Sequence, residues 1–215
     1  AADEPHLVTV DRALGCTPSS DDGGACRLFK VVNGGKLYLS HIHLRGGKVI
    51  SAGDYSGWPD GCSGGLVYVH DSGSLLHAQW SVFGTGNIGN PPTEKAASAG
   101  GALFARLDAA ILLEDSRVVG NWADFEGGGV ALYSRSTLTA MRSEISGNRV
   151  WTTYASVSVG GAVTVVDGSV FKAVKTNISY NAALSGQGAG IHMRHGCGGA
   201  SCTEVVLAEC SMEGN

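Results

Sequence analysis

Hydrophobic residues in this chain recur in an eleven-residue frame. The copies ILLEDSRVVGN (111–121), LTAMRSEISGN (138–148), FKAVKTNISYN (171–181) and VVLAECSMEGN (205–215) all end in Asn. LYLSHIHLRGG (37–47) and LLHAQWSVFGT (75–85) fit the same frame with a degenerate end. Because side chains alternate across a strand, positions 1 and 3 share a face, and after a bend positions 6 and 8 rejoin it. Those slots read Leu37, Leu39, Ile42, Leu44; Leu75, His77, Trp80, Val82; Ile111, Leu113, Ser116, Val118; Leu138, Ala140, Ser143, Ile145; Phe171, Ala173, Thr176, Ile178; and Val205, Leu207, Cys210, Met212. Nearly all are apolar or small, so each block predicts two short strands about a bend. Self-similarity at roughly 20–50 residues is the mark of a stacked repeat array.

A second pattern precedes the last five blocks: GGLV (64–67), GGAL (100–103), GGGV (127–130), GGAV (160–163) and GAGI (188–191). The last residue of the tetrad lies 8 positions before its block in four cases and 14 in the last, where the extra length holds Cys197 and Cys202. The tetrads predict a third strand with inward Val67 and Val69, Leu103 and Ala105, Val130 and Leu132, Val163 and Val165, Ile191 and Met193. Glycine falls at the corners, where a turn needs positive φ or a close approach of backbones. The expected architecture is all-β, a single-stranded parallel β-helix (solenoid) of about six coils over residues 36–215, with three short strands per coil. Residues 1–35 are read as an N-terminal cap with a disulfide loop. The chain stops on a finished coil, and solenoids normally cover such an end; continuation of the repeats past residue 215, or a partner subunit on that end, is therefore expected.

Two stacked columns follow from this frame. Asn121, Asn148, Asn181 and Asn215 close successive blocks, and Asn both tolerates the left-handed region and bonds neighbouring backbone, so an internal Asn ladder is expected. On the outside, position 5 holds Asp115, Arg142, Lys175 and Glu209, and position 7 sets Arg117 against Glu144. Such exposed pairs are worth ~0.2–1 kcal/mol each and fix register more than they add stability.

Composition narrows the function classes. Charged residues are 16% of the chain and the net charge is −4, with no basic cluster, which excludes nucleic acid as an expected partner. No apolar run approaches the ~18 residues of a membrane span, so membrane insertion is not expected. The opening Ala1-Ala2-Asp3-Glu4, without Met, reads as processed or excised. Cys16 and Cys26 bracket one short polar loop and Cys197 and Cys202 another, and both spacings suit local disulfides in an oxidising compartment. Cys62 has no obvious mate, and Cys210 occupies an inward slot. A zinc reading of Cys197, Cys202, His192 and His195 is the weaker alternative, since no repeated CxxC accompanies it. His41 and His43 make a two-His half-site without a third ligand. Asn177-Ile178-Ser179 is a glycosylation sequon at an outward position, consistent with a secreted or cell-surface protein. No cofactor motif is present.

Length variation between repeats falls on one edge, between a block's end and the next tetrad. In solenoids that edge is often the binding side. It carries Trp58, Trp122, Phe125, Trp151 and Tyr154, which are candidates for contact with a glycan or a protein; the bland reading is that they fold back over the edge of the solenoid.

The tetrads, together with the block endings VVGN (118–121), ISGN (145–148), ISYN (178–181) and MEGN (212–215), resemble the GGAI and FxxN repeats of the polymorphic outer membrane proteins over roughly residues 64–215. The first position of FxxN is Val, Ile or Met here, and no membrane barrel segment is present. The resemblance implies a right-handed parallel β-helix and a surface-exposed, adhesive role. The expected function is thus a non-enzymatic extracellular module, structural or adhesive, within a cell-surface or filamentous assembly, with protein subunits or glycans as partners.

The alternative is a pectate-lyase-like polysaccharide lyase or hydrolase, and a second alternative is a carbohydrate-binding module using the edge aromatics. Catalysis of that kind needs clustered carboxylates, to hold a cation or act as an acid and base pair. Asp108, Glu114, Asp115, Asp124 and Glu126 are the candidates, but they occupy different frame positions. An ice-binding face would want a regular Thr column, which Thr139 and Thr164 do not form.

Overall fold

The computed structural model describes residues 7–11, 25–49, 63–84, 97–151, 159–184, 186–194, 197–198 and 201–215. Among them there is no helix. Position 1 to position 3 of each block lies in a six-stranded parallel sheet, the front sheet: Lys36–Ser40, Leu75–Gln79, Ala110–Glu114, Thr137–Met141, Val170–Val174 and Glu204–Ala208. The second half of each block joins a seven-stranded parallel sheet, the side sheet, which runs from Val8–Asp11 through Ile42–Arg45, Val82–Gly84, Arg117–Val119, Glu144–Ser146 and Asn177–Ser179 to Ser211–Glu213. The tetrads open the strands of a third, six-stranded sheet, the tetrad sheet: Phe29–Val31, Val67–His70, Leu103–Arg106, Val130–Leu132, Val163–Val166 and Ile191–Arg194. In all three sheets, spatial neighbours are strands from consecutive repeats. That order is compatible with a parallel β-helix. Within residues 1–35, Val8–Asp11 and Phe29–Val31 pair with these sheets.

The core is the column of inward residues. Leu76, Leu103, Leu113, Val118, Leu138, Ile145, Val163, Phe171 and Ile178 belong to one cluster and are buried. Complete burial of such a side chain stabilises by about 1.5–3 kcal/mol. A repeat buries its frame residues only between two neighbours: Ala173 and Ile178 are fully buried, whereas Leu207 and Met212 in the last repeat are 41% and 47% exposed.

The second block departs from the expected frame by one residue. Leu37 pairs with Leu76, Leu39 with Ala78, and Leu44 with Phe83. The inward set is therefore Leu76, Ala78, Ser81 and Phe83, while His77 and Trp80 face outward. A one-residue slip turns every side chain to the other face. Adjacent Leu75 and Leu76 leave the frame ambiguous in sequence, and the full burial of Phe83 and Leu76 decides it.

A fourth parallel sheet also departs from expectation, since it lies in the inter-repeat stretches read as loops. Ala97–Ala99, Trp122–Glu126, Arg149–Val150 and Ala182–Ala183 form it, with an irregularity in the first pairing. Inward Ala123 and Val150 are fully buried, but strands this short carry too little periodicity to be read from sequence.

Two backbone devices turn the corners. Position 5 is left-handed in every repeat, at His41, Trp80, Asp115, Arg142, Lys175 and Glu209, with φ between 44 and 55°. That conformation costs a non-glycine residue about 1–2 kcal/mol, and the next residue offsets the cost. The hydroxyls of Ser81, Ser116, Ser143 and Thr176 donate back across the bend to the carbonyls of Gln79, Glu114, Met141 and Val174 at 2.7–3.1 Å. They also accept from the neighbouring repeat, as where Ser81 N–H donates to Ser116 Oγ at 3.1 Å and Ser116 N–H to Ser143 Oγ at 3.2 Å. In the tetrads the second glycine permits close approach. A Cβ on Gly128 would lie 2.4 Å from the Gly161 carbonyl oxygen and 2.5 Å from that of Arg149.

Candidate functional site

Of the edge aromatics, Trp58 and Tyr154 lie outside the described residues. Trp122 opens the second strand of the fourth sheet, and Trp151 directly follows Arg149–Val150, its backbone N–H donating to the Ala123 carbonyl at 3.1 Å. Stacking of consecutive repeats sets the two indoles nearly parallel, with centroids 5.8 Å apart and planes 10° apart. Both are half-buried, as is Phe125. The pair offers a flat, partly exposed apolar surface flanked by half-buried Asp124 and exposed Arg149, a chemistry suited to contact rather than to bond cleavage.

The acids are engaged. Asp108 accepts two hydrogen bonds from Arg135 at 2.8 and 2.7 Å, and Asp115 accepts two from Arg142 at the same distances. Arg117 Nε donates to Glu144 at 2.7 Å, and Lys175 Nζ stands 3.6 Å from Glu209. Glu114 Oε2 meets Nε2 of His77 at 3.0 Å and of Gln79 at 2.5 Å. The Arg135 hydrogen bonds hold Asp108 below the usual carboxylate range, and those of His77 and then Gln79 do the same for Glu114. Each partner comes from an adjacent repeat. Asp124, two residues after Trp122 in the same strand, is half-buried.

Glu126 sits in a corner between the fourth sheet and the tetrad sheet that the frame did not reveal. The Tyr133 hydroxyl donates to its Oε2, and Arg194 Nη2 lies 3.4 Å from its Oε1. Burial, reinforced by the Glu126 charge, pushes the Tyr133 phenol well above its ordinary pKa, so it stays a proton donor to the carboxylate. His192, on the strand that carries Arg194, is held below its usual pKa chiefly by burial. Beside the corner, Tyr68, Phe104 and Tyr133 form a buried stack with centroid spacings of 5.5 and 5.4 Å. The Arg27 guanidinium lies 4.8 Å above the Tyr68 ring. Both oxygens of Glu126 are thus occupied, and the corner packs like a second small core outside the tetrad sheet. Tyr133 follows a strand whose inward residues were legible, yet its own contact depends on the fourth sheet.

The Asn column forms an unbroken hydrogen-bonded run. Asn148 Oδ1 accepts from the backbone N–H and Nδ2 of Asn121, both at 3.0 Å, and Asn181 Oδ1 does the same for Asn148. Asn215 Oδ1 serves Asn181 in turn. Nδ2 of Asn148 also donates to the Val118 carbonyl at 2.9 Å. These amides are consumed internally.

Cys16 and Cys62 lie outside the described residues, and Cys26 lies in the strand Ala25–Cys26. Cys202 is disulfide-bonded and stands opposite Cys197 in a short antiparallel pair. Cys210 is a free thiol that ends the column of Ser and Thr hydroxyls, its Sγ 3.4 Å from the Ala173 carbonyl oxygen. Asn177 is half-buried on the side sheet and its Oδ1 accepts from Ser211. Among the described residues no group of three His, Cys, Asp or Glu side chains is placed to hold a metal ion. No family model, no curated protein and no solved structure matches the chain.

Proposed function

We propose that the chain is a right-handed parallel β-helix module that acts outside the cell as a structural or adhesive element of a cell-surface or filamentous assembly, without catalysing a reaction. One observation carries this reading. The carboxylates of Asp108, Glu114, Asp115, Glu126, Glu144 and Glu209 are each met by a cation or donor. A lyase or hydrolase needs carboxylates that are clustered and available to a cation, a proton or a sugar, whereas here they serve the stacking of repeats. The disulfide at Cys202 supports an oxidising compartment, and its mate is proposed to be Cys197. The half-buried Trp122 and Trp151 pair supports an adhesive contact with protein subunits or glycans, because aromatic side chains dominate such interfaces. The resemblance of tetrads and block endings to polymorphic outer membrane protein repeats points the same way.

Beads coated with the intact chain and challenged with cell-derived matrix test the adhesive reading. Retention that falls when Trp122 and Trp151 are both changed to Ala is expected. Unaltered retention, with the fold intact by circular dichroism, would remove that pair from any contact.

The lyase or hydrolase reading has one observation in its favour, the buried Glu126 with Tyr133, Arg194 and His192 beside it. It predicts bond cleavage that Glu126→Gln abolishes.

A further inference from the structure

The outward face of the first two repeats differs from all that follow. In the front sheet Tyr38 pairs with His77, and Ser40 with Gln79. Tyr38 is 63% exposed and Trp80 45% exposed. The Tyr38 ring meets His77 edge-on with centroids 5.9 Å apart, and His41 lies against Trp80 at 5.0 Å. These rings are held from beneath and beside. Glu114 fixes His77 and Gln79, and Ser40 Oγ bonds His41 Nδ1 at 2.8 Å. Trp80 occupies the left-handed corner position with φ 44°. A bulky residue is rarely found there. Later repeats fill that corner with Asp115, Arg142, Lys175 and Glu209, which pair with one another. The left-handed corner is common to every repeat; what sets Trp80 apart is a large, half-exposed aromatic ring where the later repeats place paired charges.

We propose that Tyr38, His41, His77 and Trp80 form a platform that binds a neutral oligosaccharide. Sugar rings combine apolar C–H faces with hydroxyl groups, and exposed aromatic rings with polar tips match both. Tyr38 and Trp80 stand one repeat apart and three residues along, within roughly 11 Å by strand spacing and rise, a span that the bend at Trp80 shortens. Gln79, His41 and the Tyr38 hydroxyl supply hydrogen-bonding groups around the rings. The carboxylate of Glu114 is satisfied by its own neighbours, and the ion-pair column begins one repeat beyond. Lys36, exposed on the same face two residues before Tyr38, and Glu114 bring opposite charges to this surface, so among the described residues it carries no net charge to favour an acidic polymer. This platform is separate from the Trp122 and Trp151 pair and does not rest on the adhesive reading of it.

Affinity electrophoresis through gels containing laminarin, xylan, galactomannan, hydroxyethyl cellulose or polygalacturonate tests the assignment. The intact chain should be retarded by at least one of the neutral polymers and not by polygalacturonate. Trp80→Ala and Tyr38→Ala should each weaken retardation about tenfold or more, as loss of a central aromatic anchor does, with thermal unfolding reporting that both fold. Lys172→Ala, in the front sheet three repeats beyond His77, should leave it unchanged. Absence of retardation by every neutral polymer, equal retardation by polygalacturonate, or retardation indifferent to Trp80 and Tyr38 would each overturn the proposal. Concentration-dependent self-association abolished by Trp80→Ala, without retardation, would place a second copy on the platform and overturn it as well.

Discussion

Replacing Asn148 by Ala should cost this protein about 3–5 kcal/mol, although it removes only one small polar group. Asn148 is fully buried in the interior of the Asn column. Its Oδ1 accepts from the backbone and side chain of Asn121, and its Nδ2 donates to the Val118 carbonyl and to Asn181 Oδ1. Truncation takes the acceptor from the buried Asn121 backbone N–H, a loss of about 1–3 kcal/mol where the group stays unsatisfied. The other three lost bonds add about 0.5–1.5 kcal/mol each before relaxation, and some of that is recovered as neighbours adjust. Asn148→Asp should do worse, because it sets a carboxylate oxygen against the Val118 carbonyl and Asn181 Oδ1. Asn177→Ala, on the outer side of the same region, should stay within about 0.5 kcal/mol of the parent. Urea unfolding followed by circular dichroism gives the differences, and the slope of the transition checks that the same surface is exposed in each. A loss below about 1 kcal/mol for Asn148→Ala would refute the claim that the column is a satisfied, water-excluding network.

Other consequences are independent of that column. Gly128→Ala should destabilise far more than Gly120→Ala: a Cβ on Gly128 meets two backbone oxygens within 2.5 Å, whereas one on Gly120 meets nothing within 4 Å and bears only the cost of φ 66°, about 1 kcal/mol. Thermal melts of the two variants compare them directly. Asp115→Asn should cost no more than about 1 kcal/mol despite its bidentate Arg142 partner, because the pair faces solvent, and added salt should shrink the difference further. The folded-state pKa values of Asp108 and Glu114 are lowered, so their contribution is present above the unfolded carboxylate pKa and is lost as pH falls through the lowered folded values. Stability measured by urea titration should therefore decline from about pH 5 to pH 2, and Glu114→Gln with Asp108→Asn should flatten that decline.

The sequence carried the parts of this fold that recur. Leu138, Phe171 and Ile145 sit in slots where a period-2 pattern meets a regular spacing, and the same spacing paired Asp115 with Arg142 and Arg117 with Glu144. The pattern is locally ambiguous in the second block: with Leu75 and Leu76 side by side, only the partner strand selects the frame that turns His77 and Trp80 outward. Segments as short as Arg149–Val150 carry no period-2 signal, so neither the fourth sheet nor the Glu126 and Tyr133 contact that depends on it is legible in sequence. Ser116, Ser143 and Thr176 are legible as small inward residues and Ser81 is not, because the second block's frame is one residue off; the role of the column emerges only once the left-handed corner before each hydroxyl is known. Of the candidate site, the sequence named Trp122 and Trp151 but had no means of setting one indole on the other.

Prolonged incubation of the intact chain with polygalacturonate, alginate and xylan, following both unsaturated and reducing ends, tests most directly the claim that its acids serve stacking instead of catalysis. Ends should accumulate no faster than in buffer for the parent and for Glu126→Gln alike. Release by the parent, lost in Glu126→Gln with the fold retained, would contradict the account and make the corner of Glu126, Tyr133, Arg194 and His192 an active site.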